Sequence, residues 1–220
     1  MRLITVPGCE AIPLVNGFNR LVIENIDLYW QLQQLLQGDE TIEGYYSMDN
    51  KPQKIKNTVV MLGDLVNPHD YGKIFAPKIG QVLQHYCSDE SQNELFRLNE
   101  QIKDIVIEQI DESNLPFEIS DEWAIGELFK YCKLVLLPPT THSANGIMRY
   151  IIETASQLGD DRLFVVCDIG RYLSESDQLD LITTINELKL NFLELRQTGV
   201  RPAYLDTEAF HVIDEDYVMF

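Results

Sequence analysis

The chain has 220 residues, 45% of them hydrophobic, enough for one large domain or for one domain carrying an inserted subdomain. Thirty-five acidic residues stand against 17 lysines and arginines, a formal net charge of -18 that argues against a uniformly nucleic-acid-binding surface. No apolar run approaches the length of about 18 residues that spans a membrane, and the N-terminal stretch lacks the apolar segment of an export signal, so a cytoplasmic protein is expected.

Taken in order, Arg2–Val6 and Ile12–Val15 predict short strands around a Pro7-Gly8 turn. Leu21–Glu24 predicts a strand that leads into a helix over Asn25–Gln37. Asn25 is placed to cap that helix and Gly38 to end it. Tyr45–Met48 and Gln53–Ile55 flank Asp49-Asn50-Lys51-Pro52 as a hairpin, and Thr58–Leu62 (TVVML) reads as a buried strand. From Ile74 to Gly159 the pattern is helical. Leu95, Leu98, Ile102, Ile105, Val106 and Ile110 form one apolar stripe on a long helix with an acidic back, and Trp123–Tyr131 and Ile147–Leu158 predict two more helices. Leu163–Asp168 (LFVVCD) then reads as a fully buried parallel strand, followed by a periodic segment over Ser174–Leu190 and a second strand over Asn191–Leu195. The expected fold class is α/β: a mostly parallel sheet head over 1–80 and 160–220, interrupted by an inserted α-helical subdomain over 81–159.

The chemistry normally grafted on such a sheet is missing from the sequence. A phosphate loop needs glycines, a lysine and a hydroxyl, whereas the first strand–helix junction is Glu24-Asn25-Ile26-Asp27. Gly72-Lys73, the one Gly-Lys pair, is followed by Ile74 instead of Ser or Thr. Cys9, Cys87, Cys132 and Cys167 are widely spaced and have no metal-binding pattern, and the four histidines are scattered. Asp64, beyond the TVVML strand, stands where a strand-end acid holds a metal, but it also suits a turn. No catalytic residue is assigned.

Charge is segregated along the chain. Asp89 to Glu127 holds twelve acids against Arg97 and Lys103. Within that stretch Glu118, Asp121, Glu122 and Glu127 surround a helix start, where they either cap the helix or coordinate Ca²⁺ or Mg²⁺. Between Lys51 and Lys78 the sequence carries five lysines, Lys51, Lys54, Lys56, Lys73 and Lys78, against Asp64 and Asp70. These either contact phosphates or are simply solvated in surface loops.

The C-terminal segments LFVVCDIGRYLSESDQLDLI, LKLNFLELR and HVIDEDYVMF resemble the CRISPR-associated Csn family of type II-A systems. The opening RLVIENIDLYWQLQQLL and the middle FEISDEWAIGELFKYCKLVL agree with it, and Ile213-Asp-Glu-Asp-Tyr217 is the most distinctive match. The resemblance covers essentially the whole chain, at the family's short-form length. It implies an NTPase-type α/β head with a helical leg and no functional phosphate loop, no catalytic activity, and a homotetramer ring around double-stranded DNA. It further implies Ca²⁺ held by acidic residues near the head–leg junction, which by position are Glu118, Asp121, Glu122 and Glu127. The implied role is spacer acquisition in antiviral defence, alongside the CRISPR integrase proteins and the effector nuclease. Two other readings stay open on the residues alone: a metal-dependent nuclease or phosphohydrolase using Asp64 or the Glu118–Glu127 carboxylates, and an acidic protein-interaction adaptor.

Overall fold

The computed structural model describes residues 1–113, 116–120, 122–134 and 136–220. Contacts divide it into two units, Met1–Asp70 with Pro139–Phe220, and Tyr71–Pro138. The larger unit is a mixed α/β structure built on an open five-stranded sheet. Its strands are β3 (Phe18–Ile23), β6 (Val59–Gly63), β7 (Leu163–Cys167), β8 (Asn191–Arg196) and β9 (Phe210–Ile213), in the order β6-β7-β8-β3-β9. All four pairings are parallel. Strands buried on both faces need continuous apolar runs, which is why LFVVC is buried at every position.

A second sheet, antiparallel and four-stranded, comes from β1 (Arg2–Thr5), β2 (Ile12–Leu14), β4 (Tyr45–Met48) and β5 (Lys51–Gln53), ordered β2-β1-β4-β5. The hairpin at Asp49-Asn50 is present, with both residues at positive φ. Its second strand runs over Lys51–Gln53, not Gln53–Ile55, because Ile55–Thr58 closes into one helical turn, α2.

One face of the parallel sheet packs on helix α1 (Ile26–Gln37). Leu28, Leu32, Leu35 and Leu36 share a core with Leu21, Ile23, Val165, Cys167, Leu193 and Leu195, and with Ile4, Ile12 and Tyr46 of the small sheet. Asn25 caps α1 by accepting the Leu28 N–H at 3.0 Å. Gly38 ends it at φ +87, a left-handed turn that a β-carbon would strain. On the opposite face lie α6 (Ala144–Gln157) and α7 (Glu175–Glu187), with Met148, Ile151, Ile152, Leu181, Ile182 and Ile185 buried. There Phe164 and Phe192 stack with ring centres 5.1 Å apart.

The smaller unit holds α3 (Tyr71–Tyr86), α4 (Asp89–Ser113) and α5 (Ile125–Tyr131). Phe96 meets Trp123 edge to face at 5.7 Å. The α4 stripe stays open to solvent at Leu98, Ile102, Ile105 and Val106. The inserted segment thus runs over 71–138, where the sequence pattern suggested 81–159. The helix read over Ile147–Leu158 sits with the larger unit because its apolar face is buried there.

Candidate functional site

The strand–helix junction that carries the phosphate loop in nucleotide enzymes has a different job here. Glu24 N–H donates to the Ile213 carbonyl at 2.9 Å, tying β3 to β9, and Asn25 spends its carbonyl oxygen on the α1 cap. The Asn25 amide donates to the Glu215 carbonyl at 3.2 Å. The first helical turn is thus capped by its own neighbours and surrounded by the acids Glu24, Asp27 and Glu215.

A polar cavity of about 340 Å³ opens beyond the carboxyl ends of β6, β7 and β8, the end at which open α/β sheets bind ligands. Asp64 and Asp168 enter it from the ends of neighbouring strands, Tyr29, Gln33 and Gln37 from α1, and Arg171 from the turn after β7. Asp64 accepts the Val66 N–H at 3.0 Å and the Tyr172 hydroxyl at 3.1 Å, so it does form the turn its residue type suggests. Asp168 adopts a left-handed conformation, φ 46, and lies 3.2 Å from the Arg171 guanidinium. Below it, burial pushes the Cys167 thiol up to about 11. Burial first, then Cys167 and Asp168, raises the Tyr29 phenol as well. Both groups stay protonated at neutral pH, so Cys167 is an unreactive core thiol.

Behind the cavity runs a chain of buried charge. Arg20, 2% exposed, donates through Nε to Glu194, 0% exposed, at 2.5 Å. The other Glu194 oxygen accepts the Ile169 N–H at 3.0 Å and lies 3.2 Å from Arg196 Nε. Gln178 receives Arg20 Nη2 at 3.1 Å. Burial pushes the Glu194 carboxyl up, and Arg20 and Arg196 oppose that shift. Sequence reasoning missed this network. Register reveals it: Arg20 pairs directly with Glu194 across β3 and β8, two opposite charges at one level of two buried strands.

The predicted lysines fall in two places. Lys51 is exposed on β5, Lys54 is exposed just before α2, and Lys56 is exposed within α2. The Lys56 stem crosses Gly38, and its ammonium pairs with Glu40 at 3.0 Å. Lys73 and Lys78 belong to α3, in the other unit. Of the acidic set, Glu118, Glu122 and Glu127 lie among the described residues, and Glu127 sits in the first turn of α5. Glu122 N–H donates to the Ser120 hydroxyl at 3.2 Å, a local turn ahead of α5, which begins only at Ile125, so Ser120 does not cap that helix. Asp121 lies outside the described residues. Among the described residues no three His, Cys, Asp or Glu side chains converge to hold a metal ion. The described carboxylates of the Glu118–Glu127 segment therefore do not by themselves make a calcium site. Nor is any helix among the described residues long and apolar enough to cross a membrane.

The parallel sheet with helices on both faces defines a mixed α/β protein of the open-sheet class. Among solved structures, Stu0660 of Streptococcus thermophilus matches with a TM-score of 0.58 and 16% sequence identity, over 97% of this chain and 74% of its own, which shows a related fold. A looser match, TM-score 0.48 and 11% identity over 100% of this chain and 90% of the other, is the ADP conformation of MJ1267, an ATP-binding cassette of an ABC transporter. No protein-family model and no curated protein matches the chain.

Proposed function

We propose that this chain is a non-catalytic, sequence-independent double-stranded-DNA-binding protein that assembles as a calcium-stabilised homotetramer ring. In this reading it acts in CRISPR spacer acquisition with the integrase proteins and the effector nuclease. The observation that carries the DNA-binding reading is charge segregation. In a chain of net charge -18, Lys51, Lys54 and Lys56 stand exposed within one hairpin and turn. Phosphate contacts of this kind give affinity without base readout. The junction at Glu24–Asp27, engaged in capping, supports a sheet used as scaffold. The apolar stripe of α4, open to solvent in a single chain, supports assembly. The C-terminal Ile213–Tyr217 pattern supports the CRISPR role, and calcium rests on the sequence resemblance.

The test is competition between linear and covalently closed circular duplex of one sequence over a salt series. A ring prefers DNA with free ends, and its affinity falls steeply with salt. Equal affinity for both forms removes encirclement, and no retention at low salt with calcium present removes DNA binding. Cleavage of the duplex with Mg²⁺ or Mn²⁺ makes the protein a nuclease instead.

A further inference from the structure

One surface of the larger unit has a chemistry that DNA binding leaves unused. Ile26 and Trp30, four residues apart on α1, lie side by side and are 66% and 61% exposed. Trp is the residue type most enriched where protein surfaces anchor one another. The charged residues at its helix end are acidic, and the cation lining the adjoining cavity, Arg171, is paired with Asp168 at 3.2 Å. Glu24 and Asp27 flank Ile26, and the Asn25–Glu215 hydrogen bond brings the exposed acids Glu215 and Asp216 to the same helix end. The sequence has no lysine or arginine from Leu21 to Asn50, nor from Pro202 to Phe220. Gln33 and Gln37 carry the α1 surface into the cavity, where Asp64 offers a carboxylate.

We infer that the Ile26–Trp30 face, together with the adjoining Asp64 cavity, docks a basic segment of a partner protein that presents an apolar side chain beside a lysine or arginine. Charge complementarity selects this occupant. A second copy would set the same acidic rim against itself, and duplex DNA or an anionic membrane would be repelled by it. The apolar side chain seats against Trp30 while the cation enters the cavity, paired by Asp64 and held by the glutamine amide oxygens. Docking here is independent of which residues touch DNA.

The experiment uses the full chain and a fluorescein-labelled amphipathic helix of leucine and lysine, with a leucine/glutamate helix of equal length as control. Anisotropy titration is expected to give saturable binding of the basic helix alone, weakening as salt rises. Trp30→Ala is expected to lose on the order of 10-fold in affinity, the scale of one anchoring residue. Asp64→Asn, which keeps an acceptor for Tyr172, is expected to lose several-fold, while Trp30→Phe keeps most of the binding. Trp30 is exposed, so the melting temperature of Trp30→Ala should match that of the parent, which distinguishes a missing anchor from a damaged fold. Equal affinity of the Trp30→Ala and parent proteins overturns the proposal, and so does equal binding of the acidic helix. Self-association in analytical ultracentrifugation that disappears with Trp30→Ala also overturns it, by making the face an interface between copies. Absence of DNA binding with Trp30 docking intact would leave this inference standing without the DNA reading.

Discussion

Arg20 and Glu194 place opposite charges in the middle of two strands where water does not follow. Such a pair adds little net stability relative to well-packed apolar residues, yet removing one partner leaves a bare buried charge at a cost of about 3–5 kcal/mol. Glu194→Gln should therefore lower unfolding stability in urea by roughly that amount. The double change Arg20→Met with Glu194→Leu should recover most of it. Equal losses in the single and double variants would count against a charge penalty and in favour of shape alone. Two histidines act on pH. Burial holds His69 and His211 below their ordinary range. Because their folded values are depressed, both favour the fold above the ordinary histidine value of about 6.5. That stabilisation is lost as pH falls through the folded values, since the unfolded chain takes up protons first. Melting temperature should drop on acidification from pH 7 toward 5, and His211→Gln should flatten the slope. An unchanged slope removes His211 from the acid sensitivity. At this scale the sequence was partly transparent. Asn25, Gly38 and the Asp64 turn were readable because capping and turn formation are local. Arg20 and Glu194 were not, because their meaning depends on a register between strands far apart in sequence.

At the scale of elements, Lys51 lies on β5, Lys54 just before α2 and Lys56 within it, a short stretch that exposes all three to phosphates. Replacing all three with alanine should weaken duplex binding and reduce the slope of log affinity against log salt by roughly 0.9 for each phosphate no longer neutralised. An unaltered slope would show that the DNA path lies elsewhere. Lys56 has a share in structure as well. Its ion pair with Glu40 joins side chains 66% and 85% exposed, so screening keeps the pair's own worth to no more than about 1 kcal/mol. Lys56→Ala alone should barely move the melting temperature. The elements that sequence pattern did not supply were α2 and β9. Both are short, and β9 (FHVI) gains strand character by pairing with β3 and by the reciprocal bonds of Val212 with Phe220 at 3.2 and 2.9 Å. Strands of this length are decided by neighbours more than by their own residues.

For the whole molecule, the α/β class was legible because LFVVC is a continuous apolar run that a sheet covered on both faces satisfies, with a helical segment and a second strand-like run, NFLEL, after it. The border of the inserted segment was less so. A helix buried on the sheet and one in the insertion share the same 3.6-residue periodicity, and only packing tells α6 from α4. Assembly is the prediction that belongs here. Sedimentation velocity is expected to give a tetramer with calcium and smaller species after chelation. A monomer under both conditions ends the ring reading, while a tetramer indifferent to chelator removes calcium from it.

The strand order also sets a timetable for the ribosome. β3 lies between β8 and β9, and Arg20 must wait for a partner 174 residues further along. At about 5–20 residues per second, β3 emerges roughly 9–35 seconds before β8 exists. Through that interval a strand built to be buried on both faces has no parallel neighbour, while β1, β2 and β4, closer together in sequence, already have theirs. Nascent chains stalled before Asn191 should therefore be cut by protease within Phe18–Ile23, and chains released at full length should resist it. Protection of that segment in the stalled chains would mean that the newborn protein shelters β3 by some pairing its finished form discards.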